Sequence, residues 1–348
     1  MKVHKNIFDR IIAPEHLFLS WDGFKKGKRN RTDVEEFEWR LEENICALHR
    51  DLRDRTYRHD SYSSFFICDP KQRHIHKATV RDRIVHHAAF SMLNPIFEPT
   101  FIAHSFSCRE GKGTHKAVDA LQGMLRQVSR NGMRHCYALQ CDVYKFFDSL
   151  DHGILLKLLG QKIKDDDVMR LLAEIINSFS SPRFPAGSGK GVPIGNLTSQ
   201  LFANIYLHEL DHFMKHELRI KPYVRYTDDF AIVGEDTDSL QRIIPPVQTF
   251  LQEHLLLTLH PKKVKIRKYR QGIDFLGYVV FPHHRLVRTR TRQRMFRKLR
   301  LKAETYKRGQ SPKESVDQSL LSYLGVLSHA DTFRLSEDLK NRYWFWVS

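Results

Sequence analysis

The stretch YVRYTDDFAIV at residues 223–233 places two adjacent carboxylates, Asp228 and Asp229, between two short runs of apolar and aromatic residues. These runs predict strands over Tyr223–Tyr226 and 230–233, joined by a tight turn. Carboxylates at such a hairpin tip can hold Mg²⁺ and leave coordination positions open for phosphate oxygens. An Asp-Asp pair by itself is usually only a turn, so a second signal is needed.

A third carboxylate supplies that signal. The segment LQCDVYKFFD at residues 139–148 puts Asp142 near the end of a predicted strand over 138–143. An aspartate at a strand end, paired across a sheet with a distant Asp-Asp hairpin, is the arrangement that two-metal phosphoryl transfer requires. Of the neighbouring rings of Phe146 and Phe147, we expect one to lie in the core and the other to face the site.

The composition favours a polyanionic partner. The 57 Lys and Arg against 40 Asp and Glu give a formal charge of +17, and 41% apolar residues exclude a disordered chain. Nucleic acid or an anionic membrane is the expected partner, and a merely soluble basic protein is the alternative. No apolar run approaches the roughly 18 residues of a membrane span, and the first residues lack the apolar core of a signal peptide. We therefore expect a cytoplasmic protein without a membrane partner.

Cysteine and histidine patterns predict no further metal site. The five cysteines include no CxxC pair, so reduced thiols are expected rather than a disulfide framework or a zinc ribbon. The 20 histidines include no HExxH motif, which favours solvated or core histidines over metal ligands.

Helical patterns flank the predicted strands. Residues 1–55 read as helical, and apolar spacing predicts further helices over 154–163, 168–179 and 197–218. Residues 57–133 are basic and contain turn signals, one of them at Asp69-Pro70. A loop is predicted over 181–189.

The last quarter of the chain is strongly basic. Residues 285–308 contain eleven Lys and Arg and a single acid, Glu304. Apolar residues at helical spacing run through this segment, namely Phe296, Leu299, Ala303 and Tyr306. The pattern predicts a basic helix docked on a body and contacting a phosphate backbone, with a solvated surface helix as the alternative.

These features belong to a series of motifs whose order resembles that of a reverse transcriptase. The series is Arg73, RDR at 81–83, SCREGKG at 107–113, Asp142-Val143 with Phe147, GVPIGNLTSQ at 191–200, YTDD at 226–229, Lys263 within HPKKVKI at 260–266, and FLGY at 275–278. The resemblance implies an α+β right-hand polymerase fold with fingers, a palm of antiparallel sheet plus helices, and a helical thumb. It implies an N-terminal helical segment over 1–56, fingers over 57–135, a palm over 136–282 with a fingers return at about 181–200, and a basic helical thumb over 283–348.

Within that superfamily, residues 191–200 most resemble reverse transcriptases of diversity-generating retroelements, because Ile194 stands where most members have Gln. The stretch at 322–332 also resembles the thumb of that group. Bacterial defence-associated reverse transcriptases, a splicing maturase and an inactive nucleic-acid-binding scaffold are the alternatives. Because few residues follow the thumb, we expect a minimal polymerase without an RNase H, integrase or HNH endonuclease domain.

The resemblance also implies an activity and its partners. The expected activity is RNA-templated DNA synthesis from a dedicated structured RNA, extending a DNA or RNA primer with dNTPs. It uses two Mg²⁺ ions, with Mn²⁺ as an expected substitute. The retroelement class adds error-prone copying at template adenines for mutagenic retrohoming, a small basic oligomeric accessory protein, and a bacterial, archaeal or phage origin.

Roles for individual residues follow from the same resemblance. The metal ligands are Asp142, Asp228, Asp229 and the backbone carbonyl of Val143, and Lys263 protonates the leaving pyrophosphate. The nucleotide-binding residues are Arg73, Arg81, Lys112, Phe147, Ile194, Gly195 and Gln200. The nucleic-acid-binding residues are Arg109, Lys116, Phe275, Leu276, Gly277, Tyr278, Arg290, Arg294, Arg297 and Lys298. For Arg81 and Arg83, a salt-bridged helix with Asp82 is an equal alternative.

Overall fold

The computed structural model describes residues 3–68, 71–185 and 187–348, and the turn predicted at Asp69-Pro70 lies outside them. The helices are α1 Phe8–Ile12, α2 Pro14–Lys25, α3 Thr32–Trp39, α4 Leu41–Arg53, α5 Val80–Phe97, α6 Thr114–Val128, α7 Phe146–Ser149, α8 His152–Lys162, α9 Asp166–Asn177, α10 Leu197–His212, α11 Thr237–His254, α12 Thr289–Lys307, α13 Lys313–Leu327 and α14 Phe333–Val347. The strands are β1 Ser63–Cys68, β2 Gln72–Lys77, β3 Tyr137–Asp142, β4 Tyr223–Tyr226, β5 Asp229–Gly234, β6 Lys265–Lys268, β7 Ile273–Phe275, β8 Tyr278–Val280 and β9 Arg285–Val287.

The predicted α+β class is confirmed. Helices alternate with small sheets, and β1 pairs with β2, β3 with β6, β4 with β5, β7 with β8 and β8 with β9, all antiparallel. The helix predicted over 197–218 is α10 followed by a π-helical turn at Phe213–Glu217. The helical reading of residues 1–55 is likewise confirmed by α1 to α4.

Two helices begin earlier than predicted because aspartates cap them. The Asp151 carboxylate accepts a hydrogen bond from the Ile154 backbone at 3.0 Å, and α8 begins at residue 152. The Asp165 carboxylate accepts a hydrogen bond from the Val168 backbone N–H at 3.2 Å, and α9 begins at residue 166. A capping carboxylate satisfies N–H groups that have no partner inside the helix, so polar residues ahead of the apolar stripe also become helical.

The chain forms two compact units, each built from separate segments. The first comprises Met1–Arg109, Asp142–Ile220 and Pro245–Pro261, and the second comprises Glu110–Cys141, Lys221–Ile244 and Lys262–Ser348. These units are defined by compactness alone, so the fingers, palm and thumb boundaries stay predictions.

The first unit is a helical body that carries the β1–β2 hairpin. Helix α5 packs against α2 and α10, and α10 packs against α8. Almost every side chain of α10 between Thr198 and Leu207 is buried, so this helix lies inside the unit rather than on its surface.

The second unit contains two sheets and the C-terminal helices. One sheet has the strand order β4-β5-β3-β6, and the other has the order β7-β8-β9. Helix α6 packs on β4 and β5, which covers the first sheet.

The basic helix α12 is docked through one face, as predicted, although its buried residues differ from the predicted apolar stripe. Met295, Leu299 and Ala303 are buried, and α13 and α14 pack against α12. Phe296 and Tyr306 are half-buried at the edges of this face. The prediction missed Met295 because long basic neighbours surround it in the sequence.

Gly191 provides a test of the packing in the first unit. Its φ is +95°, and an added Cβ would lie 2.7 Å from the Ser181 Cβ. Gly309 also has a positive φ, +70°, but has open space around it. We expect Gly191→Ala to lower the free energy of unfolding by about 3 kcal/mol, because left-handed strain and overpacking add. Gly309→Ala should cost only about 1 kcal/mol from backbone strain. Urea unfolding measures both, and equal losses would contradict the predicted collision.

Candidate active site

Asp142 is held in place by the chain that runs alongside it. Its side chain is buried, and its carbonyl accepts a hydrogen bond from the His260 backbone at 2.7 Å. The Tyr144 N–H donates to the Thr258 carbonyl at 2.8 Å, and Val143 forms an isolated bridge with Leu259. The backbone on both sides of Asp142 is therefore fixed before any ligand binds.

The chain turns sharply after this segment and separates the two adjacent phenylalanines. Lys145 adopts a left-handed φ of +47° before α7. Phe146 is 1% exposed and packs against Tyr206, whereas Phe147 is half-buried. The expectation that one ring lies in the core is confirmed for Phe146. The role of Phe147 at a sugar stays a prediction.

The GVPIGNLTSQ segment is bonded on one side to the turn that carries Phe147. The Val192 N–H donates to the Phe147 carbonyl at 2.8 Å, and the Gly191 N–H donates to the Leu150 carbonyl at 2.8 Å. The His152 Nε2 lies 2.7 Å from the Gly191 carbonyl. These bonds bring Phe147 and the segment into one rigid assembly.

On its other side, the same segment meets strand β2. The His76 N–H donates to the Ile194 carbonyl at 3.2 Å, and a Cβ on Gly195 would lie 3.2 Å from the Ile75 side chain. Arg73 is exposed on the same strand. Four predicted nucleotide residues, Arg73, Phe147, Ile194 and Gly195, thus belong to one bonded assembly in the first unit. A fifth, Gln200, is exposed in the first turn of α10.

The Asp-Asp turn is a two-residue connection between β4 and β5. Tyr226 pairs with Asp229, which leaves Thr227 and Asp228 as the turn residues. Thr227 has a φ of +53°, an unusual conformation for a β-branched residue. The Arg225 Nη1 donates to the Thr227 carbonyl at 3.1 Å from a fully buried position. Buried bonding of this kind can hold a strained turn.

Sheet order places the two carboxylate segments on neighbouring strands. Strand β3, which ends at Asp142, is the neighbour of β5, which begins at Asp229. Carboxylate oxygens are the donors that Mg²⁺ prefers, so the donor chemistry of Asp142, Asp228 and Asp229 fits a divalent cation. Across residues 3–68, 71–185 and 187–348, however, no group of three or more His, Cys, Asp or Glu side chains is gathered as a metal site.

Arg81 and Arg83 are engaged by protein carboxylates. The Arg81 Nη2 lies 2.8 Å from Asp51, and its guanidinium covers the Tyr57 ring. The Arg83 Nη2 lies 2.5 Å from Asp33. These contacts favour the salt-bridged alternative for both residues, although Arg81 lies closer to Asp51 than to the expected Asp82, at 3.6 Å.

Arg109 has internal partners that do not favour its expected nucleic-acid contact, which stays a prediction. Its side chain is 6% exposed, and its guanidinium donates to the Ile102 and Ser105 carbonyls at 2.7 Å each and to Glu98 at 2.8 Å. These contacts engage Nε and Nη1 and bring Nη2 to Glu98, so the guanidinium holds the loop after α5 in place.

The FLGY motif forms the β7–β8 hairpin, and only its tip is accessible. Phe275 and Tyr278 are buried, and the Tyr278 hydroxyl donates to the Val326 carbonyl at 2.9 Å. Leu276 and Gly277 form the turn with φ values of +49° and +92°. Both rings pack in the core of the second unit, which does not favour the nucleic-acid contacts expected of them; those contacts stay predictions.

The remaining basic candidates lie on the surface of the second unit. Lys116, near the start of α6, donates to the Gly111 carbonyl at 2.5 Å, which leaves its other N–H bonds for a ligand. Lys112 and Lys263 are half-buried. On α12, Arg290 and Arg297 are exposed, and Arg294 and Lys298 are half-buried.

Sequence reasoning missed two residues that support these segments. Arg225 was included in a predicted strand and given no role, yet all of Tyr223, Val224 and Arg225 are buried. His86 was counted among unremarkable histidines, although it is 2% exposed. The available signal was its spacing from Asp82, since an i, i+4 polar pair in a helix with an apolar face indicates an internal hydrogen-bond network.

Comparison with known proteins places these features in a family. The family model described as reverse transcriptase (RNA-dependent DNA polymerase) matches residues 69–280. Protein YkfC of Escherichia coli (strain K12) is 29% identical over 248 residues, which cover 61% of this chain and 62% of that protein. The group II intron-encoded protein LtrA of Lactococcus lactis subsp. cremoris is 24% identical over 346 residues, covering 80% of this chain and 57% of that protein. Nuclear intron maturase 4, mitochondrial, of Arabidopsis thaliana is 28% identical over 145 residues, covering 39% of this chain and 17% of that protein.

The chain therefore spans about three fifths of the length of the first two relatives. Its helices and antiparallel sheets, together with the family match, give the α+β fold expected of a right-hand polymerase. None of the helices in the described residues is long and apolar enough to cross a bilayer.

Arg109 and Arg297 form a matched pair for testing the revised assignment. Replacing Arg109 by Met removes the partner of two carbonyls and the Glu98 carboxylate, so we expect a loss of about 3 kcal/mol in unfolding free energy. The slope of log RNA affinity against log salt should not change. Arg297→Met on exposed α12 should leave stability unchanged and flatten that slope by about one unit. Urea unfolding and salt titration of RNA binding measure these effects, and a flattened slope for Arg109→Met would restore its phosphate contact.

Proposed function

The chain belongs to the reverse transcriptase (RNA-dependent DNA polymerase) family, and we propose that it synthesises DNA on an RNA template. The observation that carries the proposal is the sheet order, in which the strand ending at Asp142 neighbours the strand beginning at Asp229. Polymerisation of nucleotides needs carboxylates at such a position to hold the metal ions that neutralise the charge developing on the reacting phosphate.

Members of this family use divalent metal ions. We propose Asp142, Asp228, Asp229 and the carbonyl of Val143 as the ligands, with Mg²⁺ as the ion because all four donors are oxygens. Mn²⁺ is a proposed substitute. When bound, the metal neutralises phosphate charge and lowers the pKa of the attacking 3′ hydroxyl. Lys263 is the proposed proton donor to the departing pyrophosphate.

The bonded assembly around β2 supports a nucleotide site in the first unit. Arg73 is the proposed partner of the triphosphate, since it is exposed on the strand that binds the Ile194 turn. Phe147 is proposed to lie under the sugar and exclude a ribose 2′ hydroxyl, which makes dNTPs the substrates. The proposed nucleotide contacts also include Lys112, Gly195 and Gln200.

The template RNA and primer are proposed to bind the basic surface of the second unit. The candidates are Arg290, Arg294, Arg297 and Lys298 on α12, Lys116 on α6, and the Leu276-Gly277 turn. Their support is the concentration of eleven basic residues against one acid within 285–308, in a chain of net charge +17.

Ile194 supports the subtype of a diversity-generating retroelement. Its branched apolar side chain cannot donate or accept a hydrogen bond, so it offers packing without a directional contact to an incoming nucleotide. We propose low fidelity at template adenines, a dedicated structured RNA template and a small basic accessory protein. A defence-associated reverse transcriptase is the alternative within the same activity.

An RNA-binding role like that of an intron maturase is a second candidate. It is supported by the relatives named as a group II intron-encoded protein and a nuclear intron maturase, the first of which aligns with 80% of this chain. The three retained aspartates favour polymerisation, because RNA binding alone does not require them.

Asp228 tests the polymerase proposal. Asp228→Asn should reduce dNTP incorporation to background, because the amide lacks the charge that a metal ligand supplies. RNA affinity should stay within about twofold, since phosphate contacts by Arg and Lys dominate binding. Glu35→Gln removes the same charge from exposed α3 and should retain full activity. Primer extension with Mg²⁺ measures this, and an active Asp228→Asn enzyme would contradict the assignment.

Ile194 tests the subtype. The native enzyme should misincorporate mainly at template adenines, and Ile194→Gln should lower that error frequency about tenfold, which corresponds to about 1.4 kcal/mol of regained discrimination. Ile194→Val keeps an apolar side chain and should keep the native error pattern. Sequencing of cDNA from a defined template measures the frequencies. Uniformly low errors in the native enzyme would favour the defence-associated alternative.

A further inference from the structure

A chain of polar side chains, buried at Thr198 and His86 and half-buried at His59, Tyr62 and Ser178, lies beside the first turn of α10, directly after the Ile194 turn. The Thr198 Oγ1 lies 2.6 Å from the His86 Nδ1, and the His86 Nε2 lies 3.2 Å from the His59 Nε2. The Tyr62 hydroxyl continues the chain to the Ser178 hydroxyl at 2.8 Å. We call these five residues the polar chain.

Between Thr198 and His59, the hydrogen bonds have one consistent direction when both imidazoles are neutral. Ser178 donates to the Ile175 carbonyl at 2.7 Å, so it accepts from Tyr62, and the 3.2 Å contact between the Tyr62 hydroxyl and the His59 Nε2 then carries no proton. The His59 Nδ1 lies 2.6 Å from the Asp60 carbonyl, which accepts the ring proton. The His59 Nε2 then accepts from the His86 Nε2–H, and the His86 Nδ1 accepts the Thr198 hydroxyl proton.

Burial keeps His86 in this role. The residue is 2% exposed and Thr198 is 1% exposed. Burial, reinforced by the neighbouring charges of His59, His87 and Arg83, lowers the pKa of His86 to about 3. The ring is therefore neutral near pH 7 and has one nitrogen available to accept the Thr198 hydroxyl.

The first turn of α10 lacks the usual side-chain hydrogen bond from its N-cap residue. Asn196 occupies the N-cap position, where Asn normally accepts a hydrogen bond from the first turn, but its side chain makes no such bond. Both polar atoms of the Asn196 side chain are buried without a hydrogen-bond partner. Thr198, two residues further on, is the residue of this turn that bonds to the polar chain.

We propose that His86 and Thr198 are positioning residues that hold Ile194 and Gly195 in register with strand β2. This inference rests on the proposed function, in which these two residues and Arg73 contact the incoming nucleotide. The turn is bonded to His76 on one side and continues into α10 on the other. The Thr198 hydroxyl is therefore the directional contact that fixes the second side, and small displacements of such a turn weaken nucleotide binding.

The bond differs from ordinary core packing in a testable way. Valine has nearly the shape of threonine but no hydroxyl. Thr198→Val therefore removes the hydrogen bond to His86 and keeps the volume of the side chain. Serine retains the hydroxyl and loses a methyl group. Thr332 is a control, because its buried hydroxyl donates to the Leu327 carbonyl at 2.7 Å in the second unit.

Single-nucleotide primer extension with the full chain is the first test. For Thr198→Val we expect the KM for dNTP to rise about tenfold and kcat to stay within about threefold, and Thr198→Ser should restore the native KM. Thr332→Val should leave KM unchanged. A native KM in Thr198→Val, or an equal rise in Thr332→Val, would overturn the positioning role.

Hydrogen exchange of residues 194–200 gives a readout that does not require catalysis. We expect these amides to exchange about tenfold faster in Thr198→Val than in the native chain, and at the native rate in Thr198→Ser. Equal protection in all three proteins would overturn the inference even if the enzyme polymerises. If the three exchange rates follow this pattern but the native chain incorporates no dNTP, the result contradicts the proposed function and not the positioning role.

Discussion

The close approach of Gly191 to Ser181 is the contact on which the nucleotide-site candidates depend. No side chain fits between them, since an added Cβ would lie 2.7 Å from the Ser181 Cβ and 3.1 Å from the Asp148 carbonyl. This approach lets the Gly191 and Val192 N–H groups reach the carbonyls of Leu150 and Phe147. Because buried N–H and C=O groups must be paired, the contact also fixes where the chain can go next, toward β2 and then into α10.

The arginines of this basic chain divide into two groups with different physical roles. Arg81, Arg83, Arg109 and Arg225 use their guanidinium groups on carboxylates and carbonyls of their own unit. Such buried donors are costly to leave unpaired, so their partners position loops and turns. Arg290 and Arg297 on α12 are exposed and remain suited to phosphate contact. The count of 57 Lys and Arg therefore overstates the number of cations available to a nucleic acid.

Strained backbone occurs beside both carboxylate segments. Lys145 follows Asp142 by three residues with a φ of +47°, and Thr227 precedes Asp228 with a φ of +53°. Neither residue is glycine, so each conformation persists only because surrounding bonds impose it. The Tyr144 bond to Thr258 and the Arg225 bond to Thr227 are contacts of that kind. Strain of this sort is consistent with segments selected for the position of a carboxylate rather than for stability.

The sequence by itself determined the elements and the chemistry. Short apolar and aromatic runs around Asp228 and the strand before Asp142 placed the carboxylates, and apolar spacing placed α8, α9 and α10, because these signals depend only on residues near in sequence. Motif order predicted the family for the same reason. Only the tertiary structure decided which polar side chains form their hydrogen bonds inside the protein. Arg109, Phe275 and Tyr278 resemble ligand contacts in sequence, and His86 does not stand out, because burial and the partners that the fold brings to them set their roles. Long-range packing decides which hydrogen-bonding groups remain for a ligand, and no local pattern encodes it.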